Sequence, residues 1–197
     1  MAGGHVKFRH LSRSSAHRQA LLRNLVTSLI EHESIATTWH KAKEAQRMAE
    51  KVITLGKKNT VASRQAAGKY LYRYPQMIRK LVGPLRARYA ERPGGYTRVL
   101  RIEPTKEDQA ASAILELVDG PKDMRFAMTA KTIAAVRAKG QEINDMTAEN
   151  IRKVTRYRKN AEQELEDMVA KFEALSNEEV QKVKKKKVYP ANERSRQ

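Results

Sequence analysis

The sequence predicts an α+β chain: a two-layer α/β domain followed by a mostly α-helical extension. Three observations carry this. Apolar residues recur at helical spacing over 21–30 and again over 42–55. Short β-branched or alternating runs, "IATTW", "YTRVLRI" and "ASAILELV", are bounded by turn residues. Composition changes at the boundary "DGPKD", residues 119–123, beyond which the spacing reads as helical. The first two are the periods of helix and strand.

Ser14 or Ser15 is suited to cap a first helix, whose face is Leu21, Leu22, Leu25, Val26, Leu29 and Ile30. Residues 34–39 read as a strand. A second helix spans about 40–57, with Gly56 as a stop. Asn59 or Thr60 caps a third, weaker helix to about Tyr72. Pro75 opens a fourth at its first turn, where proline is tolerated. In "LVGPL", Gly83 ends a helix and Pro84 starts a further turn. Strands over 96–102 and 111–118 close the domain around a polar loop containing Pro104. The order is helix, strand, three helices, two strands.

The predicted division is a basic N-terminal arm, 1–13, the α/β domain, 14–119, and a helical extension, 120–197. In the extension a helix covers about 126–139 and stops at Gly140. A long amphipathic helix is expected over about 147–175. Along it Ile151, Val154, Ala161, Leu165, Met168, Phe172 and Leu175 follow three- and four-residue steps, with Arg158 filling one gap. Such an a/d seam needs a partner surface, so Ile151, Val154, Leu165, Met168, Phe172 and Leu175 are candidate protein contacts. "SNEE" reads as the capping box of one more short helix, and a basic tail with Lys184 to Lys187 follows.

The formal net charge is +18, which attracts polyanions, nucleic acid first and anionic membrane second. It is unevenly spread: residues 1–100 carry 20 Lys/Arg against 5 Asp/Glu, residues 101–197 carry 20 against 17. With no cysteine, disulfides, Cys-ligated zinc and thiol catalysis are excluded. No apolar run reaches the roughly 20 residues of a membrane span. The histidines lack paired metal-ligand spacing, and neither nucleotide-loop nor hydrolase motifs occur, so no cofactor, metal or enzymatic role is expected. Homo-oligomerisation is not expected either. Residues 1–30 contain five Lys/Arg, four Ser and no acid. That composition fits a mitochondrial targeting segment or an RNA-binding arm.

The opening of the first helix poses an electrostatic problem. Arg9, Arg13 and Arg18 crowd a terminus whose free N–H groups already carry partial positive charge. A phosphate placed among them reverses the sign of the interaction, so the segment reads as built around an anion that the sequence lacks. Candidate RNA contacts are Lys7, Arg9, Arg13, His17, Arg18, Arg23, Lys41, Lys43, Arg47, Lys57, Lys58, Arg64, Arg92, Arg98 and Arg101. The Gly94-Gly95 turn joins them because its bare backbone can approach a sugar–phosphate chain. Trp39 reads most simply as a core or interface residue.

"SSAHRQALLRNLVTSLIEHESIATTWHKAKEAQRMAEKVITLGK" and "RPGGYTRVLRI…AILELVD" resemble bacterial-type large-subunit ribosomal protein seventeen over about residues 7–119. The resemblance implies a structural protein that binds large-subunit rRNA near the exit of the nascent-peptide tunnel. It implies RNA contact at Arg18, Lys41, Lys43 and Arg98, and neighbouring large-subunit ribosomal proteins as partners. His40 stands where the bacterial pattern usually has proline. The 78 residues after Asp119 resemble the extensions of mitochondrial versions, so the mitochondrial matrix is the expected location and a bacterial cytoplasm the alternative. A basic coiled-coil adaptor and, more distantly, an RNA-modifying enzyme are the competing readings.

Overall fold

The computed structural model describes the backbone of residues 8–104 and 106–187, with side chains through Ser176. It divides into two compact units, residues 1–124 and 125–197. Lys7 and the end of the basic tail, 188–197, lie outside the described residues.

In the first unit, α1 (Ser15–His32) begins at Ser14, whose hydroxyl accepts the His17 N–H at 3.4 Å. Its buried stripe is Leu22, Val26, Leu29 and Ile30. Glu33 ends it in the left-handed region (φ 65°), donating its N–H to the Leu29 carbonyl. The chain then enters β1 (Ser34–Thr38), and α2 (Trp39–Lys58) follows without a loop. With β2 (Thr97–Ile102) and β3 (Ser112–Leu117), β1 forms an antiparallel sheet of order β1-β3-β2. Leu115 of the central strand pairs with Ile35 on one side and Val99 on the other. Side chains alternate across a strand, so Ala113, Leu115 and Leu117 face the helices and are fully buried there.

The inner face of α2 is Ala42, Ala45, Ala49, Val52 and Ile53. Gly56 is not the expected stop: the helix runs to Lys58 and ends at Asn59 (φ 53°). Gly56 is instead a crossing point, where a Cβ would sit 2.5 Å from Cγ of Leu81. Helix α3 (Val61–Gly68) starts with a reciprocal capping pair, Thr60 and Ser63, and ends short of Tyr72.

The expected break at "LVGPL" does not occur. Helix α4 (Tyr74–Lys80), a π-helical stretch (Leu81–Leu85) and α5 (Arg86–Arg88) form one continuous helical segment. Pro84 lacks an N–H and would clash in a regular α-turn, and the widened turn accommodates it. Burial of Leu81, Leu85 and Tyr89 on one side holds the segment together. Tyr89 ties it to the sheet by donating its hydroxyl to the Val118 carbonyl at 2.7 Å.

In the second unit, α6 (Met124–Ala138) ends before Gly140, which sits at φ 64°. The single long helix expected over 147–175 is in fact two. Asn144 caps α7 (Asp145–Thr155), its side chain accepting the Thr147 N–H at 2.8 Å. Helix α8 covers Ala161–Lys187. The break falls at Arg158, the polar gap in the seam. Its guanidinium stacks 3.9 Å over the Phe126 ring, with a side chain only 7% exposed. The seam then closes inside the unit: Val154, Leu165 and Val169 bury against Phe126, Ala130, Ile133 and Ala134, with Ile151, Met168 and Phe172 packed beside them. Of the expected protein contacts only Leu175 is largely exposed. Nor does "SNEE" start a new helix, since α8 passes through it unbroken.

Candidate nucleic-acid interface

Two of the three arginines at the opening of α1, Arg9 and Arg18, have a counter-charge within the chain, contrary to the expectation that they await an external one. Glu44 of α2 is buried beneath them. Its carboxylate accepts from Arg18 at 2.7 Å and from Arg9 at 3.3 Å. Arg18 also donates to the Arg9 carbonyl at 2.6 Å, fastening the chain ahead of the helix. Arg13 donates to the Leu11 carbonyl at 2.7 Å, across a corner where Leu11 and Ser12 both take positive φ (58° and 55°). Arg23 lies 4.2 Å over the Tyr72 ring. Glu44 is the only acid between residues 34 and 49. That isolation amid basic neighbours was the signal that could have singled it out.

A second internal cluster ties the end of β3 to the hairpin. Arg98 donates to Glu116 at 2.9 Å and to Asp123 at 2.7 Å, both carboxylates being fully buried. Burial and the neighbouring Asp123 push the Glu116 carboxyl up, against the opposing pull of the Met124 N–H and Arg98. Arg92 pairs with Asp119 at 2.9 Å, and Lys57 donates to the Arg92 carbonyl at 2.5 Å. Glu50, absent from the sequence-level candidates, accepts from the N–H groups of Tyr96 and Thr97 at 3.2 and 2.9 Å and so sets the strand that follows Gly94-Gly95. At the same end of the sheet, on its β1 side, Glu33 holds Arg88 at 2.8 Å and Lys80 at 3.3 Å. Burial alone would raise the Glu33 carboxyl, but these two cations outweigh it and hold it below its ordinary value.

The remaining candidates face outward. His17, Arg47, Lys58, Arg64 and Arg101 are exposed, and Lys41 and Lys43 are half-buried. Arg64 donates to the Asn59 side chain at 2.9 Å. Gly94 and Gly95 are exposed, with Gly95 at φ 69° in the turn. Arg9, Lys43 and Arg47 gather around the half-buried Trp39, with Arg101 stacked 4.2 Å from its ring centre. Among the described residues no three His, Asp or Glu side chains group as metal ligands, and no helix is long and apolar enough to cross a membrane.

The first unit is thus a two-layer body in which Arg18, Arg88, Arg92 and Arg98 are neutralised internally while other cations face outward. A profile of the family described as Ribosomal protein L17 matches residues 21–118. The chain is 64% identical over 171 residues to the large ribosomal subunit protein bL17m of Neurospora crassa, an alignment covering 86% of this chain and 89% of the relative. It is 48% identical over 166 residues to bL17m of Schizosaccharomyces pombe, covering 83% and 80%. The bacterial bL17 of Myxococcus xanthus matches over 114 residues at 47%, covering 58% of this chain and 81% of that one. The chain belongs to the ribosomal protein L17 family, and is therefore a structural constituent and not an enzyme. The bacterial match is confined to a shorter part of the chain, whereas the two fungal relatives align over most of it.

Proposed function

We propose that the chain is a large-subunit ribosomal protein of the mitochondrion that binds rRNA backbone with the outward cations of its first unit. Those cations are Lys41, Lys43, Arg47, Lys58, Arg64 and Arg101, joined by the exposed Arg9, which also touches Glu44, by the exposed His17 ring and by the Gly94-Gly95 turn. The supporting observation is how the first unit uses its carboxylates. Glu33, Glu44, Glu116, Asp119 and Asp123 are buried on internal arginines and lysines, so the charge presented outward is mainly cationic and suits phosphate. Arg18 and Arg98 act in this reading as internal struts rather than as ligands. Phosphate contacts made this way fix position and carry no base sequence.

The location near the tunnel exit and in the matrix rests on the family resemblance and on the mitochondrial naming of the fungal relatives. The second unit contacts neighbouring ribosomal proteins at the open end of its helical pair, where Phe172 and Leu175 line a groove with Ala134 and Ala138. Co-sedimentation with large ribosomal particles from purified mitochondria tests the proposal. The chain should stay bound through moderate salt and leave in a high-salt wash. A chain found only in the ribosome-free fraction would contradict it.

A further inference from the structure

Trp39, the only tryptophan of the chain, has surroundings that a mere packing residue would not need. It sits at the junction of β1 and α2, and its backbone is held by the start of β3. Its N–H donates to the Ala111 carbonyl at 2.8 Å, and the preceding residue, Thr38, pairs with Ser112 in the sheet. The ring is half-buried, with its inner side packed against the core. Cations from two elements converge on it: the Arg101 guanidinium of β2 lies 4.2 Å from the ring centre, and the Lys43 ammonium of α2 lies 5.0 Å away. Beside the ring a notch of about 270 Å³ is lined by Arg9, Trp39, Lys43, Gln46 and Arg47. Among the described residues no carboxylate lines that notch.

We propose that this notch receives one unpaired nucleotide of the rRNA, its base stacked on the Trp39 indole. The proposal rests on the rRNA-binding reading and adds a site to it. An aromatic plane with cations around it is what holds single-stranded nucleic acid: the plane takes a base of any identity and the cations take the flanking phosphates. Arg101 is exposed, so its guanidinium can swing off the indole and engage phosphate when a base arrives. Base stacking on an indole is a stronger contact than an exposed cation–π pair, so the exchange runs in that direction. Gln46 at the notch wall also donates to the Thr97 carbonyl at 3.3 Å, which fixes one side of the opening. A duplex, whose bases are already stacked, cannot use the ring and touches only the cations.

The test uses the full chain, its own tryptophan fluorescence, and three probes: single-stranded oligoadenylate, an RNA duplex of matched charge, and inorganic polyphosphate. Oligoadenylate should quench Trp39 and polyphosphate should not. Trp39→Leu should weaken oligoadenylate binding about tenfold while leaving duplex and polyphosphate affinities within about twofold. Trp39→Phe, which keeps a stacking plane and guards against a folding defect, should recover most of the loss. Equal quenching by polyphosphate, or oligoadenylate affinity unmoved in Trp39→Leu, would overturn the notch while leaving the rRNA-binding reading in place. Failure of the wild-type chain to bind either RNA would overturn both.

Discussion

The two units use the same ion-pair chemistry in opposite ways. Residues 1–124 hold 23 Lys/Arg against 11 Asp/Glu, and residues 125–197 hold 17 against 11. In the first unit the carboxylates of Glu44, Glu116, Asp119 and Asp123 are withdrawn from solvent and each grips an arginine. In the second unit the carboxylates stay outside: Arg137 with Glu166 and Lys153 with Glu149 are exposed on both sides, and the buried Arg158 reaches out to an exposed Glu164 at 2.6 Å. The first unit thereby gains rigidity and presents an excess of cations outward. The second neutralises much of its charge along its own surface. A density of arginines in sequence therefore overstates how many of them meet a ligand, because some are consumed in holding the surface that the others use.

That contrast predicts unequal costs. Arg98→Ala leaves two fully buried carboxylates, Glu116 and Asp123, without their shared cation. It should lower stability by about 3–5 kcal/mol, the range for breaking a buried pair on one side. The control in the second unit, Arg137→Ala, should cost less than about 1 kcal/mol, as exposed pairs do. Urea unfolding of both variants checks the difference, and equal losses would break the comparison.

A smaller effect concerns acid. The folded-state pKa of Glu33 lies below its ordinary value because Arg88 and Lys80 outweigh burial. Its contribution to stability is present above the ordinary carboxylate range and is lost as pH falls through the lowered value. Glu116 has the opposite sign: burial raises it, so its charged form costs stability, and that cost is relieved as pH falls through the raised value toward the ordinary one. Glu33→Gln should lower stability at neutral pH and flatten the acid limb of a plot of urea midpoint against pH. Glu116→Gln should remove the opposing rise. If both variants left the profile unchanged, the assignment of these two carboxylates would be wrong.

Much of the fold was legible because its signals are local. The Ser14 cap, the second-helix periodicity and the hairpin around Pro104 all lie within a few residues of what they determine. The misread points are those where distant burial overrides a local cue. Gly56 looks like a stop and is a crossing with Leu81, twenty-five residues on. Pro84 looks like a restart, yet Leu81, Leu85 and Tyr89 keep the helix continuous through a widened turn. The seam from Ile151 to Leu175 has the same spacing whether it runs on or folds back at Arg158, so periodicity could not reveal that its partner, α6, lay just upstream. At the interface the cations were readable as a group. Their sorting into struts and ligands was not, because it depends on Glu44, Glu116 and Asp123, which lie 18 to 26 residues from the arginines Arg18 and Arg98 that they hold.

The most direct test of that sorting is the salt dependence of affinity for a large-subunit rRNA fragment, measured on variants that remain folded. Replacing Lys43, Arg47 and Arg101 together by Ala should weaken binding and reduce the slope of log affinity against log salt by about 0.9 for each duplex phosphate no longer neutralised. Arg18→Lys and Arg98→Lys, which keep a cation against the buried carboxylates, should leave that slope unchanged. A slope unaffected by the triple replacement but reduced by the Arg18 and Arg98 variants would contradict the account.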